Sequence, residues 1–225
     1  MSLFFIVLLP FLGALLPGLM NSAGRAAVAG VTFTVSLAAF VGLLTNLPTV
    51  LAGEVVTARI DWMPLLGLNF TLMLDSLGFF FAMLILGIGL LVIAYARHYL
   101  SRSDNMGEFF TYLLLFQGAM VGIVLSDNIL LLLVFWELTS LSSFLLIGYW
   151  KHLPAGRQGA RMALTVTGMG GLAMIAGMLI LGQIVGSYDL SVILQNRDLI
   201  QADPLYLTAL LLILLGCFTK SAQFP

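Results

Sequence analysis

An acid and a base stand inside stretches that otherwise resemble hydrocarbon. Glu137 lies in "VFWELTSLSS", residues 134–143, and Lys220 lies in "GCFTKSAQFP", residues 216–225. A charged side chain at the centre of a bilayer costs at least ~2.5 kcal/mol, so an ionisable residue there points to function by default. Two such groups on separate helices offset one another's desolvation when they face the same interior; together both are charged, and apart both tend towards neutrality. At an effective dielectric of ~20 the pair interacts by about 4 kcal/mol at ~4 Å and by about half of that at twice the distance. A displacement of a few Å therefore changes proton affinity. The chemistry expected of Glu137 and Lys220 is the holding and release of a proton, with titrations that belong to the pair.

The neighbours of the two residues suit that chemistry. Thr139, Ser140, Ser142 and Ser143 follow Glu137. Ser140 falls on nearly the same helix face, so these hydroxyls could hold a water chain or could back-bond to their own helix. Pro225 removes a helical hydrogen bond to the Ser221 carbonyl and is expected to kink or break the helix within about a turn of Lys220.

Other polar residues at helix ends have simpler readings. Asp127 and Asn128 are expected to cap and turn the chain into the helix that carries Glu137. Asp75 opens another helix and reads either as a cap or as a functional acid near an external mouth. His98 and His152 lie beside loop arginines with no second ligand at helical spacing, which favours an interfacial or proton-relay role over a metal site. Cys217 is expected to be a buried small hydrophobe.

These residues need a membrane scaffold, and the composition supplies one. The chain is 61% hydrophobic and 8% charged, with a net charge of −1 from 9 basic and 10 acidic residues. Mean hydropathy is +1.11. Soluble domains carry about 25% charged residues. Nothing in the charge distribution suggests nucleic acid, and one cysteine excludes an internal disulfide framework.

Seven apolar runs are long enough to cross ~30 Å of hydrocarbon: about 3–20, 26–46, 75–95, 108–125, 129–150, 160–184 and 204–225. None has the alternation of a barrel strand, so an all-α polytopic bundle is expected. The first run lacks a basic n-region and reads as a retained helix, not a cleaved leader. With the N-terminus outside, the cytoplasmic loops hold Arg25, Arg97, Arg102, Lys151, Arg157 and Arg161, against Arg59 and Arg197 on the other side. The long connection at 46–75 carries a β-branched piece, a Trp-Met-Pro turn and the alternation Leu68 to Leu72, and predicts a small external β-hairpin.

The sixth run is rich in small residues, including the spaced pair Gly182 and Gly186, and is expected to pack closely on a neighbouring helix, with a ligand-contacting backbone as the alternative. No internal repeat is evident, and a single membrane domain, 1–225, is expected. The last residues stop inside an apolar helix, which reads as the truncated N-terminal part of a larger protein.

The motifs "FWELTSLSSFLLIGYW" and "GCFTKSAQFP" resemble those of the antiporter-like family shared by large subunits of multisubunit Mrp-type Na+/H+ antiporters and by proton-pumping membrane subunits of respiratory complex I and membrane-bound hydrogenases. The resemblance extends over the whole chain and includes "LDSLGFFFAMLILGIGLLVIAYARHYL". It implies that Glu137 and Lys220, the latter on a broken seventh helix, are the paired carriers of a proton route. Complex I subunits of this type tend to carry a basic residue and an aspartate in the sixth helix. Here that segment is "TVTGMGGLAM", with Gly168 and Gly171 at those places, which favours the Mrp branch.

The resemblance thus implies a proton-translocating subunit of a cation/proton antiporter in a bacterial inner membrane, with other membrane subunits, protons and Na+ as partners. The alternatives are a structural scaffold whose buried charges only fix packing and a redox-driven complex I-like subunit. No nucleophile constellation, phosphate loop or metal cluster suggests an enzyme, and no cofactor is implied.

Overall fold

The computed structural model describes residues 2–223. In chain order its elements are α1 (Leu3–Gly13), α2 (Leu15–Leu19), α3 (Arg25–Leu44), α4 (Leu47–Leu51), β1 (Val56–Met63), β2 (Leu68–Leu74), α5 (Ser76–Tyr99), α6 (Met106–Leu125), α7 (Ile129–Ile147), α8 (Pro154–Val185), α9 (Leu190–Gln195), α10 (Arg197–Ala202) and α11 (Tyr206–Lys220). The chain is mostly helical. The hairpin expected between the second and third apolar runs is present, with β1 and β2 paired in a two-stranded sheet.

Among the described residues, five of the seven expected spans form helices long and apolar enough to cross a membrane: 25–51, 76–99, 106–125, 129–147 and 154–185. The first and seventh are apolar but shorter, at Leu3–Leu19 and Tyr206–Lys220. The first is interrupted at Ala14, between Pro10 and Pro17, each of which withholds a backbone donor from the helical ladder. The Thr111 hydroxyl donates to the Ala14 carbonyl at 2.8 Å across this interruption.

Two compact units are resolved, residues 1–58 with 72–125 and residues 59–71 with 126–225. In the first unit α3, α5 and α6 pack around a buried polar contact. The Ser36 hydroxyl donates to the Gln117 Oε1 at 3.0 Å, and the Gln117 amide nitrogen approaches the Ile85 and Leu86 carbonyls at 3.4 Å. Gly89 makes room for that amide, since a Cβ there would collide with it. Asp75 is the N-cap of α5, accepting from the Gly78 N–H at 2.7 Å. At the other end of α5, the Arg25 guanidinium donates to the Leu100 and Ser101 carbonyls, both at 2.6 Å.

In the second unit α8 is the central helix, flanked by α7 and α11. Close approach of α8 and α11 depends on glycine, as expected of the small-residue-rich run, but not on the pair Gly182 and Gly186. A Cβ on Gly177 would lie 2.9 Å from the Ala209 carbonyl oxygen, and one on Gly216 would lie 2.8 Å from the Gly170 carbonyl oxygen. Gly182 and Gly186 do not form a helix-packing pair. Gly182 receives the Tyr188 ring, and Gly186, with φ +76°, reverses the chain as the C-cap of α8. The same ring closes against Gly67 in the hairpin turn, whose φ is +68°.

The corner before α7 meets expectation at Asn128 and departs from it at Asp127. Asn128 alone caps the helix, accepting from the Leu130 and Leu131 N–H groups at 3.1 and 3.2 Å. Asp127, 6% exposed, instead accepts from the Ser191 N–H at 3.0 Å and from its hydroxyl at 2.9 Å. It therefore ties the start of α7 to the start of α9. A cap acts on its own first turn, so nothing local in the sequence marked this long-range partner.

Candidate functional site

The helix α7 is 19 residues long, about 28 Å of rise, which matches the hydrocarbon thickness. Glu137 is its ninth residue and so stands at its middle. Lys220 is the last residue of α11. The backbone turns immediately after it at Ser221 and Ala222, where Ala222 has φ +54°. The seventh helix therefore stops at the lysine within the described residues; Pro225, to which sequence reasoning assigned a kink or break, lies outside them.

Lys220 reaches α7 through polar and aromatic contacts. Its ammonium donates to the Ser140 hydroxyl oxygen at 2.8 Å and lies 5.3 Å from the centroid of the Trp136 ring, within the range of a cation–π contact. Glu137 lies between these two residues in sequence. On an ideal helix it projects about 100° from Trp136 and about 60° from Ser140. Among the described residues Lys220 and Glu137 form no ion pair, since the two within 4 Å both involve Arg59. The acid and base are both half-buried, not fully enclosed.

The Glu137 carboxylate points instead towards α8. Its Oε1 is buried without a hydrogen-bond partner in the described residues, as is the Trp136 indole nitrogen. Gly171 meets that oxygen: a Cβ built on Gly171 would overlap Oε1 and would lie 3.1 Å from the carboxyl carbon. The absence of a side chain on α8 is thus what admits the carboxylate. One residue earlier, Gly170 does the same for the Thr219 side chain of α11.

The hydroxyls near Glu137 are largely committed to their own helix. Thr139, fully buried, donates to the Trp136 carbonyl at 2.7 Å, and Ser142 donates to the Leu138 carbonyl at 2.7 Å. Ser140 lies 3.4 Å from the Trp136 carbonyl, so its hydroxyl can donate backwards while accepting from Lys220. Ser143 is half-buried one turn further along α7.

The remaining candidates lie elsewhere. Asp75 caps α5 in the first unit. His98 is exposed near the end of α5, its Nδ1 3.3 Å from the Ala94 carbonyl oxygen, and lines a cavity of about 300 Å³ with Arg97, Phe33 and Ile93. His152 is exposed in the turn between α7 and α8. No group of three or more potential metal ligands occurs among the described residues. Cys217 is exposed and not buried as expected. Its neighbour Gly216 takes the side of α11 that packs on α8, and the next residue projects about 100° away. Outside the helices, Arg59 bridges Asp61 at 2.9 Å and Asp189 at 3.3 Å, and its hydrogen bond with Asp61 raises its proton affinity above the ordinary arginine value.

Sequence reasoning missed Trp136 and the function of Gly171. The aromatic beside the acid was visible, but the residue that would sit over its ring was not. Gly171 was read only as a place where another branch carries a charge.

The family model described as NADH:quinone oxidoreductase/Mrp antiporter, TM, matches residues 126–225, and that described as NADH-ubiquinone oxidoreductase (complex I), chain 5 N-terminus, matches residues 62–110. A probable K(+)/H(+) antiporter subunit of Rhizobium meliloti is 51% identical over 97% of this chain, and a Na(+)/H(+) antiporter subunit of Staphylococcus aureus is 44% identical over 97%. The chain spans 22% and 28% of the length of these relatives.

Among solved structures, the Mrp complex from Dietzia sp. DQ12-45-1b superposes with a TM-score of 0.85 at 34% identity, covering 100% of this chain and 24% of that one. An archaeal membrane-bound sulfane sulfur reductase shares the fold, with a TM-score of 0.72 at 18% identity, covering 96% of this chain and 33% of that one. The chain belongs to the antiporter-like membrane family that Mrp antiporter subunits share with NADH:quinone oxidoreductase.

Proposed function

We propose that this chain is the N-terminal membrane domain of a proton-translocating subunit in a multisubunit cation/proton antiporter, a secondary transporter and not an enzyme. Glu137 and Lys220 hold and pass the proton. The observation that supports this most directly is the meeting of Lys220 with the Glu137 face of α7 through Ser140 and Trp136. A half-buried ammonium and a mid-helix carboxylate with an unpartnered oxygen are costly in a membrane helix, and costly ionisable groups there line ion and proton paths. Movement of Lys220 towards Glu137 stabilises the ionised acid; its withdrawal favours uptake of a proton. Thr139, Ser140 and Ser143 flank this path, His98 and His152 would serve only as more distant relays, and Asp75 acts as the cap of α5.

Relatives named as K+/H+ and as Na+/H+ antiporter subunits support cation exchange. Sodium is the cation we assign, with other membrane subunits completing the complex in a bacterial inner membrane. The excess of arginine and lysine in alternate loops supports an outside N-terminus.

The test is dissipation of a pH gradient in everted vesicles that contain the complete complex, with Na+ and K+ added separately. Glu137→Gln and Lys220→Ala are expected to assemble and to abolish exchange. Sodium-dependent exchange that survives both substitutions would overturn the assignment. Exchange driven by K+ in place of Na+ would correct the cation alone.

A further inference from the structure

We infer that Ser140 and Trp136 form a separate seat for the Lys220 ammonium, so that the parted state of the acid and base is a position built into α7. This rests on the assignment of Glu137 and Lys220 as proton carriers and adds the residues that position the base.

The seat is composed of two unlike contacts that converge on one cation. Ser140, 3% exposed, offers a hydroxyl oxygen 2.8 Å from the ammonium. The hydroxyl can donate to the Trp136 carbonyl, 3.4 Å away, and still offer a lone pair to the lysine. The Trp136 ring adds its negative face at 5.3 Å. Trp136 therefore acts twice, by orienting the hydroxyl through its carbonyl and by facing the cation with its ring. Residues 136 and 140 are one turn apart, so both contacts lie on one stripe of α7.

The acid has its own place. Glu137 projects to the side of that stripe, with Oε1 against the bare backbone of Gly171 on α8. Lysine and carboxylate thus occupy different neighbourhoods although they share a helix face to within about 60°. Lys220 ends its helix, and the backbone leaves the helical conformation at Ala222. Its ammonium can move between the Ser140 hydroxyl and the Glu137 carboxylate by side-chain rotation, with no helical hydrogen bond broken. With the seat intact the lysine has two competing positions, and each transfer frees the acid to take up a proton. Without the seat the ammonium remains with Glu137 and the acid stays ionised.

The experiment uses the complete complex in everted vesicles and compares Ser140→Ala, Ser140→Thr, Trp136→Leu and Trp136→Phe with wild type and Glu137→Gln, at matched amounts of assembled complex. Loss of a hydrogen bond to a charged group predicts that Ser140→Ala slows exchange roughly tenfold. Trp136→Leu slows it by a similar factor, and Ser140→Thr and Trp136→Phe recover most of the rate because they keep the hydroxyl and the ring face.

Wild-type exchange by both Ser140→Ala and Trp136→Leu, with Glu137→Gln inactive, overturns the seat and leaves the proton-carrier assignment standing. Ser140→Thr as slow as Ser140→Ala also overturns it, since the effect would then be one of packing. Normal exchange by Glu137→Gln removes the assignment itself. Should Trp136→Leu fail to assemble, the two Ser140 variants decide the matter alone.

Discussion

The Glu137 carboxylate occupies the space that a side chain at Gly171 would fill: a Cβ there overlaps Oε1 and lies 3.1 Å from the carboxyl carbon. The atom that would be displaced is the end of a flexible side chain, not backbone. Gly171→Ala should therefore leave assembly and thermal stability within about 1 kcal/mol of wild type, because Ala is a better helix former than Gly. It should nevertheless slow pH-gradient dissipation roughly tenfold, since groups misplaced by ~1 Å lose catalytic efficiency on that scale or more. A variant that exchanges normally would show that the place of the carboxylate is immaterial.

Gly177 provides the contrasting case. A Cβ there meets the Ala209 carbonyl oxygen at 2.9 Å and the Ile213 backbone nitrogen at 3.1 Å, neither of which can rotate away. Gly177→Ala should separate α8 from α11 and cost about 1–3 kcal/mol, as overpacked cores do. The measurement is the melting temperature and yield of the detergent-solubilised complex, and an unchanged melt would contradict the close-packed seam.

Asp75 caps α5 through the Gly78 N–H at 2.7 Å. Asparagine caps as well as aspartate but cannot carry a proton in the same way. Asp75→Asn should keep both stability and exchange, whereas Asp75→Ala should lower stability by about 1 kcal/mol. Loss of exchange in the Asn variant, measured in the same vesicles, would assign the acid to the proton route.

Gln117 and Ser36 are 3% and 0% exposed and share a 3.0 Å hydrogen bond. Removal of either partner alone leaves a polar group without its mate, while removal of both does not. Gln117→Leu and Ser36→Ala should each destabilise the complex. The double variant should be less damaged than the sum by about 0.6 kcal/mol, the usual coupling of a hydrogen bond between membrane helices. A double-mutant cycle on thermal unfolding checks this, and strict additivity would mean that packing alone holds α3 to α6.

Much of the architecture was legible from local pattern. Apolar length located the helices, and the alternation from Leu68 to Leu72 located the hairpin, because burial periodicity and the need to satisfy backbone groups in lipid act residue by residue. Helix ends were less legible. The interruption at Ala14 follows from two prolines, but the extension of α8 back to Pro154, before the Arg157 and Arg161 that marked a loop, depends on where polar flanks emerge from the packed unit.

By itself the sequence determined the membrane class and the family and singled out two residues, since an acid and a lysine among apolar neighbours are conspicuous without coordinates. Tertiary structure alone decided where those two groups point. Lys220 could have met Glu137 directly; it lies instead on Ser140, 80 residues away in the chain, and on Trp136. Glycine carries no sign of which neighbour it admits, so Gly171 could not be matched to Glu137 until α8 was packed against α7. Asp127 took Ser191 as its partner for the same reason: side-chain chemistry states what a group can bind, and only the approach of distant segments states which one it does bind.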